Sequence, residues 1–450
     1  MRAFKALALA LGGGAVGAGA IVTAHATHLQ VHAVVSSGGP GRAGADSARV
    51  GALLTALGHT DPVICDLIGD QLGNFWIGGE PGRIGRFADA PDVQGPKDSL
   101  AGTISDPHAV SLLVANLGAD NACVRRVAAK LLGQSTVSTS VLSGLIDNPS
   151  PRIRESVAFA VGTGERRETR AALERRLADT ASGAGPAAMA AWALGELGDP
   201  AAAPALQSSV HSPSPRVRIA SAWALGRFED ATYTKDVLPL LRDPDPVMRA
   251  VAAEALGQMK SQRVGAALVG ALTDRNDRVR RAAVSALAEL HERAAVGPLE
   301  ELLLNDADPD VRRECAEALA SLGLPRSIEP LVRALGDQDI EVQRQAANAI
   351  GDLNDVTKAP AALIRATTAA DLELRRHATR ALAHIGDAAT VQALADRLSD
   401  DDKDVRLAAV EGLGEMKVAA AIPGLTRALS DRDPEVRRAA AEALGKTQEN

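Results

Sequence analysis

A chain of 450 residues with 49 basic and 56 acidic side chains carries a formal charge of −7, which excludes attachment to nucleic acid or anionic lipid by net charge alone. Hydrophobic residues make up 46% and aromatic residues 2%, so Ala, Leu and Val must fill the interior at close helix spacing.

The chain opens with Arg2 and Lys5 ahead of the apolar run Ala6 to Val22, and Ala24-His25-Ala26 supplies small residues at the positions a signal peptidase reads. Residues 1–26 therefore predict a signal peptide and an exported protein, periplasmic or extracellular. The alternative is an uncleaved N-terminal anchor, although a glycine-containing run of 17 residues is short for about 30 Å of hydrocarbon. No membrane span is expected after cleavage. Residues 27–46, with a Ser-Ser-Gly-Gly-Pro-Gly core, predict a flexible leader. Residues 47–74 form a degenerate first repeat, in which Val50, Leu53, Leu54 and Leu57 mark one helix and Asp61-Pro62 opens a second. A Gly/Pro-rich insert at 75–106 with Phe75, Trp76 and Phe87 then breaks the pattern; it is either a functional loop or a ruined repeat.

From 107 to 450 one helix recipe recurs, clearest at Asp431 to Gly445. Asp433 suits an N-cap, Pro434 the first helical position, Val436, Ala440, Ala443 and Leu444 one buried side, and Gly445 the exit. With Val436 as anchor, the equivalent residues are Val405, Leu374, Val342, Val311, Val279, Met248, Val217, Pro186, Ile153 and Val124, mostly 31 or 32 residues apart. Ahead of each lies another apolar helix, such as Ile422, Leu425 and Leu429. Eleven such pairs, each with one apolar stripe per helix, must stack on their neighbours to bury it, which predicts an all-α solenoid.

The motif Asp-x-Asp-Pro-x-Val-Arg-x-x-Ala-Ala-x-Ala-Leu-Gly resembles the HEAT repeat, in the short form also seen in phycobiliprotein lyases and many bacterial adaptor proteins. The resemblance implies a right-handed superhelix of stacked antiparallel helix pairs, HEAT/armadillo-like, whose second helices line the concave surface. It also implies that the Asp and Arg of the motif tie neighbouring repeats together, which maps the arginine onto Arg125, Arg154, Arg218, Arg249, Arg280, Arg312, Arg375, Arg406 and Arg437. Gln343 departs from the pattern, and the Pro186 repeat lacks both Asp-Pro and Arg, so these two joints are expected to be weaker or more bent.

One position further on, Arg281, Arg313, Arg344 and Arg376 occupy four consecutive repeats as a candidate basic stripe for an anionic partner. Nearby Glu341 and Glu373, and an i,i+4 pairing of Arg313 with Glu317, offer the competing explanation. Six residues after each anchor the side chain should point away from the core, and most repeats place polar groups there. Phe159, Trp192 and Trp223 fill that row in three consecutive repeats and, with Ile219, predict an exposed apolar ladder for a protein partner. The alternative is that the tryptophans fill space at the Pro186 joint.

Catalysis has little support. No His-Glu-x-x-His or paired Cys-x-x-Cys occurs, and the single His291-Glu292 pair falls short of the several that the di-iron HEAT enzyme deoxyhypusine hydroxylase uses. No cofactor or metal is expected. Cys65 and Cys123 flank the insert at equivalent helix starts and form the candidate disulfide of an exported chain, the alternative being two unpaired thiols; Cys315 sits at a core position. The reading is a monomeric, non-enzymatic scaffold that binds a protein on its concave face and has no sequence-specific nucleic-acid partner. The competing hypothesis is a HEAT-like enzyme or ligand carrier, bilin-lyase-like or oxidoreductase-like, with the 75–106 insert as a lid.

Overall fold

The computed structural model describes residues 43–58, 104–179, 183–353 and 356–448. The expected signal segment, Cys65, the stretch expected to form the second helix of the first repeat and most of the 75–106 insert lie outside these residues. Among the described residues all regular structure is helical, apart from an isolated bridge between Ile104 and Ser135. Two compact units meet at Phe228 and Glu229 in the sequence.

In the first unit, α1 (Ala43–Gly58) precedes four helix pairs: α2 (Pro107–Ala115) with α3 (Ala122–Gly133), α4 (Thr139–Ile146) with α5 (Pro151–Thr163), α6 (Arg170–Ala178) with α7 (Ala184–Leu197), and α8 (Ala203–Ser209) with α9 (Pro215–Gly226). Each second helix packs on the next, α3 on α5, α5 on α7 and α7 on α9. Val50, Leu53, Leu54 and Leu57 are all buried in α1, but the helix begins at Ala43, inside the stretch expected to be a flexible leader. Asp106 joins α1 to the repeats by accepting from the Ser47 N–H at 3.1 Å while its other oxygen caps α2 through His108 N–H.

The second unit stacks seven pairs: α10 (Thr234–Val237) with α11 (Pro246–Gln258), α12 (Gly265–Ala271) with α13 (Asp277–Glu289), α14 (Val296–Asn305) with α15 (Pro309–Leu322), α16 (Ile328–Ala334) with α17 (Ile340–Asp352), α18 (Ala361–Ala366) with α19 (Leu372–Ile385), α20 (Val391–Arg397) with α21 (Lys403–Met416), and α22 (Ile422–Ala428) with α23 (Pro434–Gln448). Here too the second helices form the continuous row. The recipe explains their starts, since Asp245, Asp308, Asp339 and Asp402 cap α11, α15, α17 and α21 with side-chain oxygens. In the first pair α10 lasts four residues and continues as a 3-10 turn over Leu238–Arg242, where Pro239 brings no N–H for the α ladder.

The glycine of the recipe does not act as the exit. Gly257 lies inside α11, and a Cβ there would stand 2.8 Å from the Ala286 Cα on α13; Gly195 meets Ala224 of α9 in the same way, and Gly414 approaches Ala443. These glycines let successive second helices touch backbone to backbone. The left-handed residue that ends the helix falls three positions later, at Gly198, Gly323 and Gly386, and in other repeats at Glu165, Glu229, Lys260, His291 and Lys417, all with φ near 50°. A side chain in that region is strained.

His291→Gly should therefore raise the melting temperature, relieving about 0.5–1 kcal/mol of net strain, whereas Gly257→Ala should lower it, costing about 1–3 kcal/mol of stability through overpacking. Thermal denaturation of the two variants checks both signs, and a destabilised His291→Gly protein would return the exit role to the earlier glycine.

Candidate functional site

The arginine after each anchor is held first by its own loop. Its Nη1 donates to the carbonyls six and five residues earlier, as in Arg249 to Asp243 at 2.9 Å and Pro244 at 3.2 Å, or Arg154 to Asn148 and Pro149 at 2.8 and 2.9 Å. At Arg249, Arg280, Arg312, Arg375 and Arg406 of the second unit its other nitrogens reach into the next repeat. Arg249 grips Asp274 with two bonds of 2.7 and 2.8 Å, and Arg280–Asp306, Arg312–Asp337 and Arg406–Asp431 repeat that fork. Arg375 reaches Asp400 at 3.3 Å. The aspartate that completes each clamp lies five residues before the next anchor and also fixes its own loop, Asp274 accepting from the Asn276 N–H at 2.9 Å. Hydrogen bonds from Arg249 hold the Asp274 carboxyl below the ordinary carboxylate range against the opposing effect of burial.

The four arginines of the candidate stripe are ion-paired as well. Arg344 forks onto Asp371 at 2.8 and 2.6 Å and also meets Glu341; Arg376 forks onto Asp402 at 2.9 and 2.6 Å and meets Glu373 and Asp404. Asp310 lies between Arg281 at 3.3 Å and Arg313 at 3.2 Å. The row is thus an alternating ladder of charges, and its arginines carry local counterions. The hydrogen bonds from Arg344 and Arg376 depress Asp371 and Asp402 to about 2.

The aromatic row differs from the expected exposed ladder. Phe159 and Trp192 retain only 3% and 4% of their surface, and Ile219 only 2%. Phe159 stacks on Trp192 with centroids 5.6 Å apart, and Trp192 on Trp223 at 6.3 Å. The missing side chain of Gly162 makes room for the Trp192 ring, and Gly195 does the same for Trp223. This stack fills the joints around the Pro186 repeat, where the arginine position holds Ala187. Trp223 alone is half-exposed, with the exposed Arg227 guanidinium 5.8 Å from its ring centroid. Nearby, Glu155 places its carboxylate at the start of α7, close to Gly185, where Gly183 gives the helix no side-chain cap.

In the second unit the equivalent position of the repeat holds Glu254. Burial pushes its carboxyl up to about 8, with Glu289 and Glu314 adding to the rise and Arg281 opposing it. Glu289 reaches this place over Gly257, and Glu314 accepts from the Ser285 hydroxyl. Among the described residues no three His, Cys, Asp or Glu side chains converge on a metal position. The Glu292 of the one His-Glu pair caps the turn after α13 through the Ala294 N–H, while burial and Arg380 hold His377 below its ordinary value. Cys123 is buried at the start of α3 and Cys315 is a free, buried thiol; the pairing of Cys123 with Cys65 falls partly outside the described residues. No described helix is long and apolar enough to cross a membrane.

HEAT repeats match the chain in eight overlapping stretches running from 138–213 to 391–450. No curated protein sequence matches it. Yeast importin-beta superposes with a TM-score of 0.52 at 12% identity, over 90% of this chain and 62% of that one. The complex of CpcE and CpcF of phycocyanin lyase from a Nostoc species gives 0.33 at 23% identity over 55% and 94%. An engineered protein gives 0.45 at 22% identity over 75% and 98%. The importin-beta likeness supports the all-α solenoid fold and nothing finer.

Glu254 sets a pH dependence. Its folded pKa lies above its ordinary value of 4.5, so the stability it permits is complete below 4.5 and is lost progressively as pH rises to about 8. Urea midpoints of the wild type should fall across that window, and Glu254→Gln should flatten the curve and be the more stable protein above it. Parallel curves for the two proteins would refute a half-buried, protonated Glu254.

Proposed function

The chain belongs to the HEAT-repeat family, and from that premise we propose that it is a non-catalytic scaffold binding a protein partner along the face of its second helices, with Trp223 and Arg227 as an anchor in the first unit. HEAT solenoids commonly bind proteins, and the fold is typically non-catalytic. The observation that carries the reading is the half-buried end of the aromatic stack: Trp192 beneath it is fully committed to packing, while Trp223 keeps some solvent access and has an exposed cation beside it. An amphipathic aromatic backed by a rigid stack loses little entropy on binding, which is the character of an interface hot spot. Arg281, Arg313, Arg344 and Arg376 then act as an ion-paired polar rim.

Capture by the immobilised full-length protein from an extracellular or periplasmic extract tests this. Trp223→Ala should lose the captured protein while keeping its melting temperature, whereas Trp192→Ala should lose about 3–5 kcal/mol of stability in the first unit. Unchanged capture by folded Trp223→Ala would remove the anchor, and metal, pigment or bound small molecule in the purified protein would overturn the non-catalytic reading.

Export is part of the same proposal, supported by the charged start, apolar run and Ala24-His25-Ala26. Expressed in a Gram-negative host, the protein should be recovered outside the cytoplasm with an intact mass lacking residues 1–26 and, on non-reducing peptide mapping, with Cys65 bonded to Cys123. Full-length chain in the cytoplasm refutes export; free Cys65 and Cys123 in the exported protein refute the crosslink.

A further inference from the structure

Five of the six joints between second helices in the second unit carry an arginine–aspartate clamp in addition to helix packing. At the C-terminal end small residues touch, as Gly257 against Ala286, Gly351 against Ala381 and Gly414 against Ala443. At the N-terminal end the arginine–aspartate clamp closes the loops. In the five clamps Arg249–Asp274, Arg280–Asp306, Arg312–Asp337, Arg375–Asp400 and Arg406–Asp431, no side chain is more than 19% exposed.

The joint between α17 and α19 is built differently. Its arginine position holds Gln343 and its aspartate position holds Ala369, so both halves of the clamp are replaced. Gln343 keeps the grip on its own loop, Nε2 donating to the Asp337 carbonyl at 2.6 Å, and reaches no carboxylate at residue 369. What crosses the N-terminal end instead is Arg344–Asp371, with side chains 24% and 26% exposed. At the next joint the corresponding pair, Arg376–Asp402, works alongside the Arg375–Asp400 clamp. The close contact of Gly351 with Ala381, where an added Cβ would stand 3.0 Å from the Ala381 Cβ, remains as a fulcrum at the other end.

We propose that the α17–α19 joint is a salt-gated hinge of the second unit: it pivots on Gly351 and Ala381 and is latched at its open end by the solvent-reached Arg344–Asp371 pair. Dissolved ions screen such a pair more than the less exposed clamps on either side. Raising the ionic strength therefore loosens this joint first, and the seven-pair unit bends at one defined place.

Amide hydrogen exchange of the full-length protein, read by mass spectrometry at roughly 0.05 M and 1 M NaCl, tests the latch. Peptides covering the starts of α17 and α19 should exchange about threefold faster at high salt, while those at the starts of α13 and α15 should not change. Restoring the clamp with Gln343→Arg and Ala369→Asp should abolish the salt response, and Arg344→Gln should give fast exchange at α19 at both salt concentrations. An equal response at all four helix starts overturns the proposal, as does a response that survives clamp restoration. Absence of any salt response at α17 and α19 in the wild type overturns it as well.

Discussion

The stack of the second unit depends on what one guanidinium can reach. Arg249, Arg280, Arg312 and Arg406 each bind the carbonyls of their own helix-entry loop and, through the fork of Nε and Nη2, the aspartate of the following loop. One side chain thereby fixes the entry angle of its helix and the spacing to the next. Burying both charges is costly, and the geometry offsets that cost because nearly every donor and acceptor is used. Lysine at these positions would keep the charge and lose the planar fork.

Where the clamp is absent, other chemistry occupies the joint. In the first unit the clamp positions between α7 and α9 hold Ala187 and Ser212, and there Trp192, itself stacked on Phe159 of the preceding repeat, stacks on Trp223. Glycines at 162 and 195 admit the rings. The Pro186 repeat, expected to make a weak joint, is thus packed through a large apolar contact area. At Gln343 the substitute is another ion pair one position along the helix. The two departures from the motif share a place in the repeat and differ in consequence: an aromatic stack is insensitive to salt, and a half-buried ion pair is not.

The repeat period, the helix pairs and the buried anchors were legible because a spacing near 31 residues and a one-sided apolar pattern record the need of each pair to lean on its neighbours. The clamp was only half legible. The motif offers two aspartates, and which of them the arginine meets depends on the rise between stacked helices, which no single repeat contains. The aromatic row misled for a related reason. A residue six places after the anchor points away from one buried stripe, but a second helix inside a stack has neighbours on both flanks, so Phe159 and Trp192 are covered by the adjacent repeats. Helical periodicity reports the deepest side of a helix and is silent on the flanks.

The glycine of the motif shows how such a sequence can satisfy two readings at once. Placed after Ala-Leu near the end of an apolar helix it has every mark of a C-cap, and Gly445 reads that way in isolation. Yet the left-handed cap lies three residues beyond it, where the chain accepts Glu165, His291 or Lys417 at a strain glycine would avoid. The space beside Gly195, Gly257 and Gly414 is taken by the next helix. At these positions glycine sets the distance between repeats rather than the turn. A solenoid built this way sets its stacking distance with a missing side chain and its stacking angle with a guanidinium.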